Sequence, residues 1–449
     1  MPEHSPPLAP PDEQETRAVN RTLRLSIAEG SLTQTFLNWT TGSVLIGYML
    51  HFGASPTEIG LVSSVPLLAQ ASSPFAAWLA GFAARLKGLT VIAALLGRLC
   101  WVLAAFLPQL GLADELRVPF LVMLVSVSSF FQASVGTLWT GWMGSVVPED
   151  RRGRYFGLRA GVVGVVGTLA NFAAGWVLDR LNAPLSFQLV IAAAVVLALV
   201  GVSLYLYHYE PPAKTERHSL GEILNIPWRD PNFRKFLLFG SYWQASVLVA
   251  APFVIPYFLS HLQMTFTQIA LWGAVAASTA LVTNPLWGRV ADRYGNKAVL
   301  AIGSFLAGSL LPLTWLIAAP ERLWPIWVGG VMDALAWGAV GPALFNLLLV
   351  SAPKSDRLPY VAMFSLVTGV AGFVGGLASG PLFSLVEPLE FTLGSYRWTA
   401  YHYLIVASAL LRTQGWRFVR PLQETNAWRT RDVLKQARYG WRGVGFPWR

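Results

Sequence analysis

Gly288-Arg289-Val290-Ala291-Asp292-Arg293-Tyr294-Gly295-Asn296-Lys297 sets four charged side chains within ten residues, between apolar runs at 266–287 and 298–319. A run of about 20 apolar residues is long enough to cross the ~30 Å hydrocarbon layer of a bilayer as a helix. The quoted stretch therefore reads as a short polar reversal between two membrane passages. Gly288 lets the end of the first helix pack closely, and Gly295 permits a tight turn into the second. The same reading carried outward gives further apolar segments near 31–51, 57–80, 89–109, 118–147, 156–178, 186–208, 236–260, 323–350, 359–386 and 397–413, twelve candidate spans in all. Composition agrees. Of 449 residues 54% are apolar and only 12% charged, about half the charge density that a soluble surface carries. The 19 Trp and 40 Gly suit interface belts and close helix approach. The fold class is all-α, a polytopic membrane protein.

Several chemistries are excluded. The single Cys100 lies in an apolar run, which leaves no disulfide framework and no cysteine-based zinc site. His4, His51, His208, His218, His261 and His402 are scattered without metal-ligand spacing. No GxxxxGK[ST] loop occurs, so no ATPase is expected in the chain, and no cofactor, metal or enzymatic activity is expected either. The first 24 residues lack an apolar h-region, so no cleavable signal peptide is expected.

The net charge of +10 is distributed by topology. With both termini cytoplasmic, 28 of the 33 basic residues fall on that side, counting the chain from Arg412 onward as tail, and only Arg117, Arg180, Arg322 and Arg397 fall outside. This is the positive-inside pattern, and anionic inner-leaflet lipid accounts for it without nucleic acid. The longest loop, Glu210 to Lys235, divides the spans six and six. The expected organisation is an N-terminal tail at 1–24, a six-helix bundle at 25–209, a linker lying along the membrane surface at 210–235, a second bundle at 236–413 and a basic tail at 414–449.

The halves repeat. Pro148, Arg152, Tyr155, Gly164, Gly167 and Gly175 align with Pro353, Arg357, Tyr360, Gly369, Gly372 and Gly380 at an offset of 205, and Glu58-Ile59-Gly60-Leu61 aligns with Gln268-Ile269-Ala270-Leu271 at 210. Two six-span units of equal orientation relate by an axis along the membrane normal. Glycines recur at three- and four-residue spacing in span five (Gly157, Gly161, Gly164, Gly167) and span eleven (Gly369, Gly372, Gly376, Gly380), which marks these helices either for a moving contact with the other half or for static close packing.

The 288–297 stretch resembles the G-x-x-x-D-R-x-G-x-R/K loop motif of the major facilitator superfamily. The twelve spans, the central loop and the parallel repeat resemble that family as far as about residue 413. The resemblance implies a gating role for Gly288, Arg289, Asp292, Arg293, Gly295 and Lys297, with Asp292 facing the positive N-terminus of helix eleven, where Ser355, Asp356 and Pro359 mark the helix start. Such a latch would hold the inner gate shut. The first half departs from the pattern: in Gly81-Phe82-Ala83-Ala84-Arg85-Leu86-Lys87-Gly88, Arg85 stands where Asp292 would align, so gating is expected to be asymmetric. Pro148 to Gly157 resembles a second loop signature of the family.

The resemblance also implies that helices one, four, seven and ten line a central cavity. Their polar stripes fit: Ser31, Gln34, Thr35, Asn38, Thr41 and Gly42; Ser129, Gln132, Gly136 and Trp139; Gly240, Ser241 and Gln244; Gly329, Gly330, Asp333 and Trp337. Hydrogen bonding between helices is the competing reading for any one of them. Asp333 lies about ten residues, roughly 15 Å, into its span, near the midplane, with Glu29, Glu58, Asp179 and Glu387 at span ends. It is the candidate proton carrier, or the partner of a cationic substrate or of Arg98; a structural hydrogen bond is the plain alternative. Arg98, at similar depth in span three, needs an anion or carbonyls and reads more readily as structural. Pro252 and Pro256 are expected to bend span seven.

These readings converge on a monomeric secondary transporter in a bacterial-type inner membrane. It moves a small organic solute or drug-like amphiphile by alternating access, with protons and membrane lipid as further partners. A sugar or metabolite importer, suited by the amides Asn38, Gln132 and Gln244, and a transport-inactive sensor or assembly protein are the alternatives.

Overall fold

The computed structural model describes residues 13–82, 85–148, 151–211, 219–352, 357–394 and 396–424. Most of the N-terminal tail, Ala83 and Ala84, Ser355 and Asp356, and the tail beyond Glu424 lie outside the described residues.

Helix α1 (Glu13–Thr40) begins well before the first apolar run and continues past Thr41 as α2 (Gly42–His51). The break falls where Gly42 takes φ +54°, a conformation reached without penalty only in the absence of a Cβ. The second passage is α3 (Pro56–Gln70) with α4 (Ser73–Phe82); the next four are α5 (Leu86–Ala105), α6 (Asp114–Val146), α7 (Arg152–Arg180) and α8 (Leu185–Tyr205). The linker contains a helix the sequence reading did not foresee, α9 (Leu220–Arg229), started by a Ser219/Glu222 capping box and packed on its neighbours in both halves.

The seventh passage is irregular. α10 (Pro231–Leu248) gives way to a 3-10 turn (Ala251–Phe253), the short α11 (Val254–Pro256) and a π turn (Tyr257–His261). Pro252 and Pro256 have no N–H to donate, so a regular ladder cannot run through them, and the expected weakness in span seven is present. There follow α12 (Phe266–Tyr294), α13 (Asn296–Gly308) with α14 (Leu310–Leu316), α15 (Trp324–Ser351), α16 (Arg357–Val386), an antiparallel hairpin of β1 (Phe391–Leu393) and β2 (Tyr396–Trp398), α17 (Ala400–Gln414) and the short α18 (Trp416–Val419).

Among the described residues ten helical segments are long and apolar enough to cross a membrane. The first and last passages fall short of that measure because α1 carries Arg17, Arg21, Arg24 and Glu29, and α17 has only 15 residues. With them the chain forms two six-helix bundles.

The bundles repeat each other contact by contact. α1 packs on α7 and α8 as α10 packs on α16 and α17; α3 packs on α6 as α12 packs on α15; α5 packs on α6 and α8 as α13 packs on α15 and α17. Hydrogen bonds repeat as well. Lys87 N donates to Glu210 (2.9 Å) while Lys87 Nζ donates to the carbonyls of Leu206 and His208 (2.6 and 2.9 Å). In the second half Lys297 N donates to Glu424 (2.8 Å) and Lys297 Nζ to the carbonyls of Arg420 and Leu422 (2.8 and 2.7 Å). In each bundle a glutamate caps the start of the third passage and a lysine caps the end of the sixth. Ser55 with Glu58 and Thr265 with Gln268 form matching capping boxes.

Candidate functional site

The two bundles meet through α3 against α16 and α7 against α12. Span eleven meets the other half as its glycines suggested. A Cβ on Gly369 would lie 2.5 Å from Leu67 O, one on Gly376 2.5 Å from Ser64 Cβ, and one on Gly380 2.5 Å from Thr57 Cα, so these glycines let two backbones touch. Span five behaves differently. Gly157, Gly161 and Gly164 have nothing within 4 Å of a Cβ position, and Gly167 faces Gln34 and Asn38 of its own half. The glycine of α7 that meets α12 is Gly175, beside Phe266 and Thr267. At that point Asp179 accepts hydrogen bonds from Phe266 N and Thr267 N, both 2.8 Å. A carboxylate here satisfies two otherwise free donors of the α12 N-terminus and opposes its dipole. The halves are thus closed at the end that holds Thr57, Asp179, Phe266 and Gly380, while towards the opposite end of α7 Gly157, Gly161 and Gly164 meet nothing within 4 Å of a Cβ position.

Between the bundles lies a cavity of about 830 Å³. It runs along α6 from Val125 to Gly141, about 24 Å at 1.5 Å per residue. The α1–α2 break, α3 and α6 form one wall; Pro252 and Ile255 of the irregular passage and Val361, Ala362 and Ser365 of α16 form the other. Of the pathway residues named from the sequence, Gln132 lines it; Asn38, Trp139, Gln244, Asp333, Trp337 and Arg98 do not. Asn38 donates to Gly167 O (2.9 Å) and accepts from Gln34 (2.8 Å), tying α1 to α7. Trp39 does likewise to Ala170 O (2.8 Å). Gln244 sits against Gly372 of α16. The Trp139 ring is covered by the Arg159 guanidinium at 4.3 Å.

Charge is buried in each half. Arg98 is fully enclosed; its Nη1 donates to Ala198 O (2.7 Å) and its Nη2 to Thr33 Oγ1 (2.7 Å). Thr33 Oγ1 in turn donates a hydrogen bond to Glu29 Oε1 (2.6 Å), which also accepts from Tyr205 OH (2.7 Å). Arg159 reaches the other carboxylate oxygen at 3.6 Å, crossing over Gly30, where any Cβ would collide with it. The partner of Arg98 is therefore Glu29 and not Asp333. Glu29 is no span-end residue: it is 1% exposed, because α1 starts at Glu13 and carries it into the bundle. In the second half Asp333 lies near the Trp337 indole and within electrostatic reach of Arg412. Arg412 is 4% exposed within α17, so its assignment to the tail is corrected.

The 288–297 stretch makes the expected turn, with Gly295 at φ +92° between α12 and α13. Asp292 is exposed near the end of α12. The start of helix eleven that was expected to face Asp292, at Ser355 and Asp356, lies outside the described residues.

An integral membrane bundle of two repeated halves around a shared cavity, closed at one end, is the architecture of a membrane transporter. The model of the Major Facilitator Superfamily matches residues 30–253 and 236–444, and the chain belongs to that family. Among curated relatives, the chain is 25% identical to the "Multi-drug resistance efflux pump PmrA homolog" of Lactococcus lactis subsp. lactis (strain IL1403) over 61% of its own length and 66% of the relative's. It is 24% identical to "Tetracycline resistance protein, class H" of Pasteurella multocida over 32% of its length and 35% of the relative's. The chain thus spans less than two thirds of these relatives. Among solved structures, nucleoside transporter NupG aligns with TM-score 0.64 at 14% identity over 90% of this chain and 100% of that one. The inward open conformation of the xylose transporter XylE from E. coli aligns with TM-score 0.66 at 13% identity over 93% and 99%. These likenesses show the fold.

Proposed function

We propose that the chain is a secondary active transporter for a small organic solute or drug-like amphiphile, driven by protons exchanged at Asp333. The observation that carries this reading is a cavity of about 830 Å³ walled by both halves and closed at one end by direct contact between them. A cavity of that size suits a drug-sized ligand. With both termini cytoplasmic, as the basic residues favour, the closed end faces outside and the cavity opens inward. Switching access then requires the Asp179 contact to break and the glycine seams to move. In this reading the bundles are residues 25–209 and 236–413, and the chain works as a monomer surrounded by lipid.

Asp333 stands apart from the cavity wall, so it acts through its own bundle. Ionised, it is attracted to Arg412 on α17; protonated, it releases that attraction. Exchange of one proton thereby changes the attraction between Asp333 on α15 and Arg412 on α17, which is a route from proton binding to helix movement. The efflux pumps among the relatives favour an amphiphilic cargo. The amides of Gln70 and Gln132 in the cavity wall favour the second reading, a hydroxyl-bearing metabolite. Flux into proteoliposomes across a compound panel, with and without a pH gradient, tests both; absence of flux for every compound would favour a transport-inactive sensor.

A further inference from the structure

We propose that His402 is a second proton site, remote from Asp333, and that a proton bound there releases the start of α17. His402 is fully buried and stands where a Glu or Gln usually closes a capping box. Thr399 N donates to its Nδ1 at 3.0 Å. A backbone N–H can only donate, so Nδ1 offers its lone pair and the ring proton sits on Nε2. A second proton has only Nδ1 to bind. There it would set one donor against another, end the Thr399 bond and place a cation at the positive end of the α17 dipole. The cap therefore holds only while the imidazole is uncharged.

The surroundings offer a charged ring no ready partner. His261, from the π turn of the seventh passage, stands edge-on with ring centroids 5.0 Å apart, and Trp398 of β2 stacks at 5.0 Å. Tyr257 and Tyr396 complete the cage at 5.7 and 5.5 Å. Glu390 is paired with Arg397 (2.9 Å) and accepts from Ala400 N (3.3 Å). Glu387 and Arg322 are exposed and act on Tyr401 and Tyr396. α14, also packed on α17, carries no titratable group. His402 Nε2 itself is buried without a hydrogen-bond partner.

The site lies at the closed end, because α17 starts just after the hairpin that follows α16. Tyr401, beside His402, packs on Phe383 at 5.0 Å, and Phe383 stacks on Phe253 of the irregular passage at 4.6 Å. Phe383 is one turn from Gly380, where α16 touches Thr57 of the other half. Release of the first turn of α17 thus withdraws packing from the seam that closes the halves.

The test is hydrogen exchange on the full chain in lipid nanodiscs, read in the peptide spanning 396–404 at about pH 5 and about pH 8 after correction for intrinsic rates. Wild type should exchange roughly fivefold faster at the lower pH, the worth of one helix cap. His402→Gln keeps an acceptor that does not titrate and should be slow at both; His402→Ala should be fast at both. His261→Asn should keep the wild-type response. The peptide at the start of α5, unchanged in each variant, shows that the fold is intact. A wild type without the pH response, a response that survives His402→Gln, or one that disappears in His261→Asn overturns the proposal. Spin labels at Leu181→Cys and Leu385→Cys in a Cys100→Ser background read the seam. Their long-distance component should grow between about pH 8 and about pH 5, and grow less in His402→Gln; equal growth in both overturns the route from this site to the seam.

Discussion

Asp179, at the end of α7, holds Phe266, the first residue of α12, by a 2.8 Å hydrogen bond to its backbone N–H, and a second bond of 2.8 Å runs to Thr267. The two residues belong to different bundles, so this charge–dipole contact is made only while the bundles touch. The sequence led us to look for such a lock at Asp292, on the opposite end of α12.

Asp179→Ala should open this end. A helix cap of this kind is worth about 1 kcal/mol, reduced where it is exposed, so the open population should rise by roughly fivefold. Spin labels at Leu181→Cys and Ser260→Cys in a Cys100→Ser background report it by double electron–electron resonance. A growing long-distance component is expected, and an unchanged distance distribution would show that Asp179 is a local cap without a gating role.

Gly380→Leu should act in the same direction through sterics. Its Cβ would sit 2.5 Å from Thr57 Cα and 2.7 Å from Pro56 O, so α3 and α16 cannot keep their present approach. Gly161→Leu on α7, with open space around its Cβ, is the control and should leave the distances as they are.

Glu29→Ala leaves Arg98 and Arg159 facing each other without their anion. Removing one partner from a buried ion pair costs about 3–5 kcal/mol, whereas replacing both partners is far milder. Thermal unfolding in detergent should therefore rank Glu29→Ala below the double variant Glu29→Leu/Arg98→Leu. The reverse order would mean that Thr33, Tyr205 and Ala198 satisfy Arg98 without Glu29.

Glu210→Ala and Glu424→Ala should destabilise by similar amounts, on the order of 1 kcal/mol each. Hydrogen exchange at the starts of α5 and α13 reads each cap separately. A loss at one site alone would show that the repeated hydrogen bonds are not equivalent in strength.

The elements and their repeat were legible because hydrophobic runs and basic loops are set by the bilayer, which acts on every residue of a span alike. What escaped depended on pairings between distant residues. Glu29 looked like a span end because the apolar run starts at residue 31, although the helix starts at Glu13. Arg412 fell inside the span 397–413 and was still counted with the tail. Glu210, Glu424 and Asp179 are ordinary surface carboxylates in sequence, and only the fold brings helix N-termini to them. The polar stripes of helices one and four reach the cavity wall, whereas those of helices seven and ten contribute none of its described lining and α3 and α16 take their place; periodicity cannot say whether an amide such as Asn38 bonds a neighbouring backbone or meets a ligand. Gln132 reached the cavity wall; Asn38 reached Gly167.

The most direct test of the account is uptake into proteoliposomes driven by an imposed pH gradient, comparing wild type with Asp333→Asn. Wild type should accumulate amphiphiles against their concentration gradient, and Asp333→Asn should lose that accumulation while retaining exchange across the membrane. Undiminished pH-driven accumulation in Asp333→Asn would contradict it.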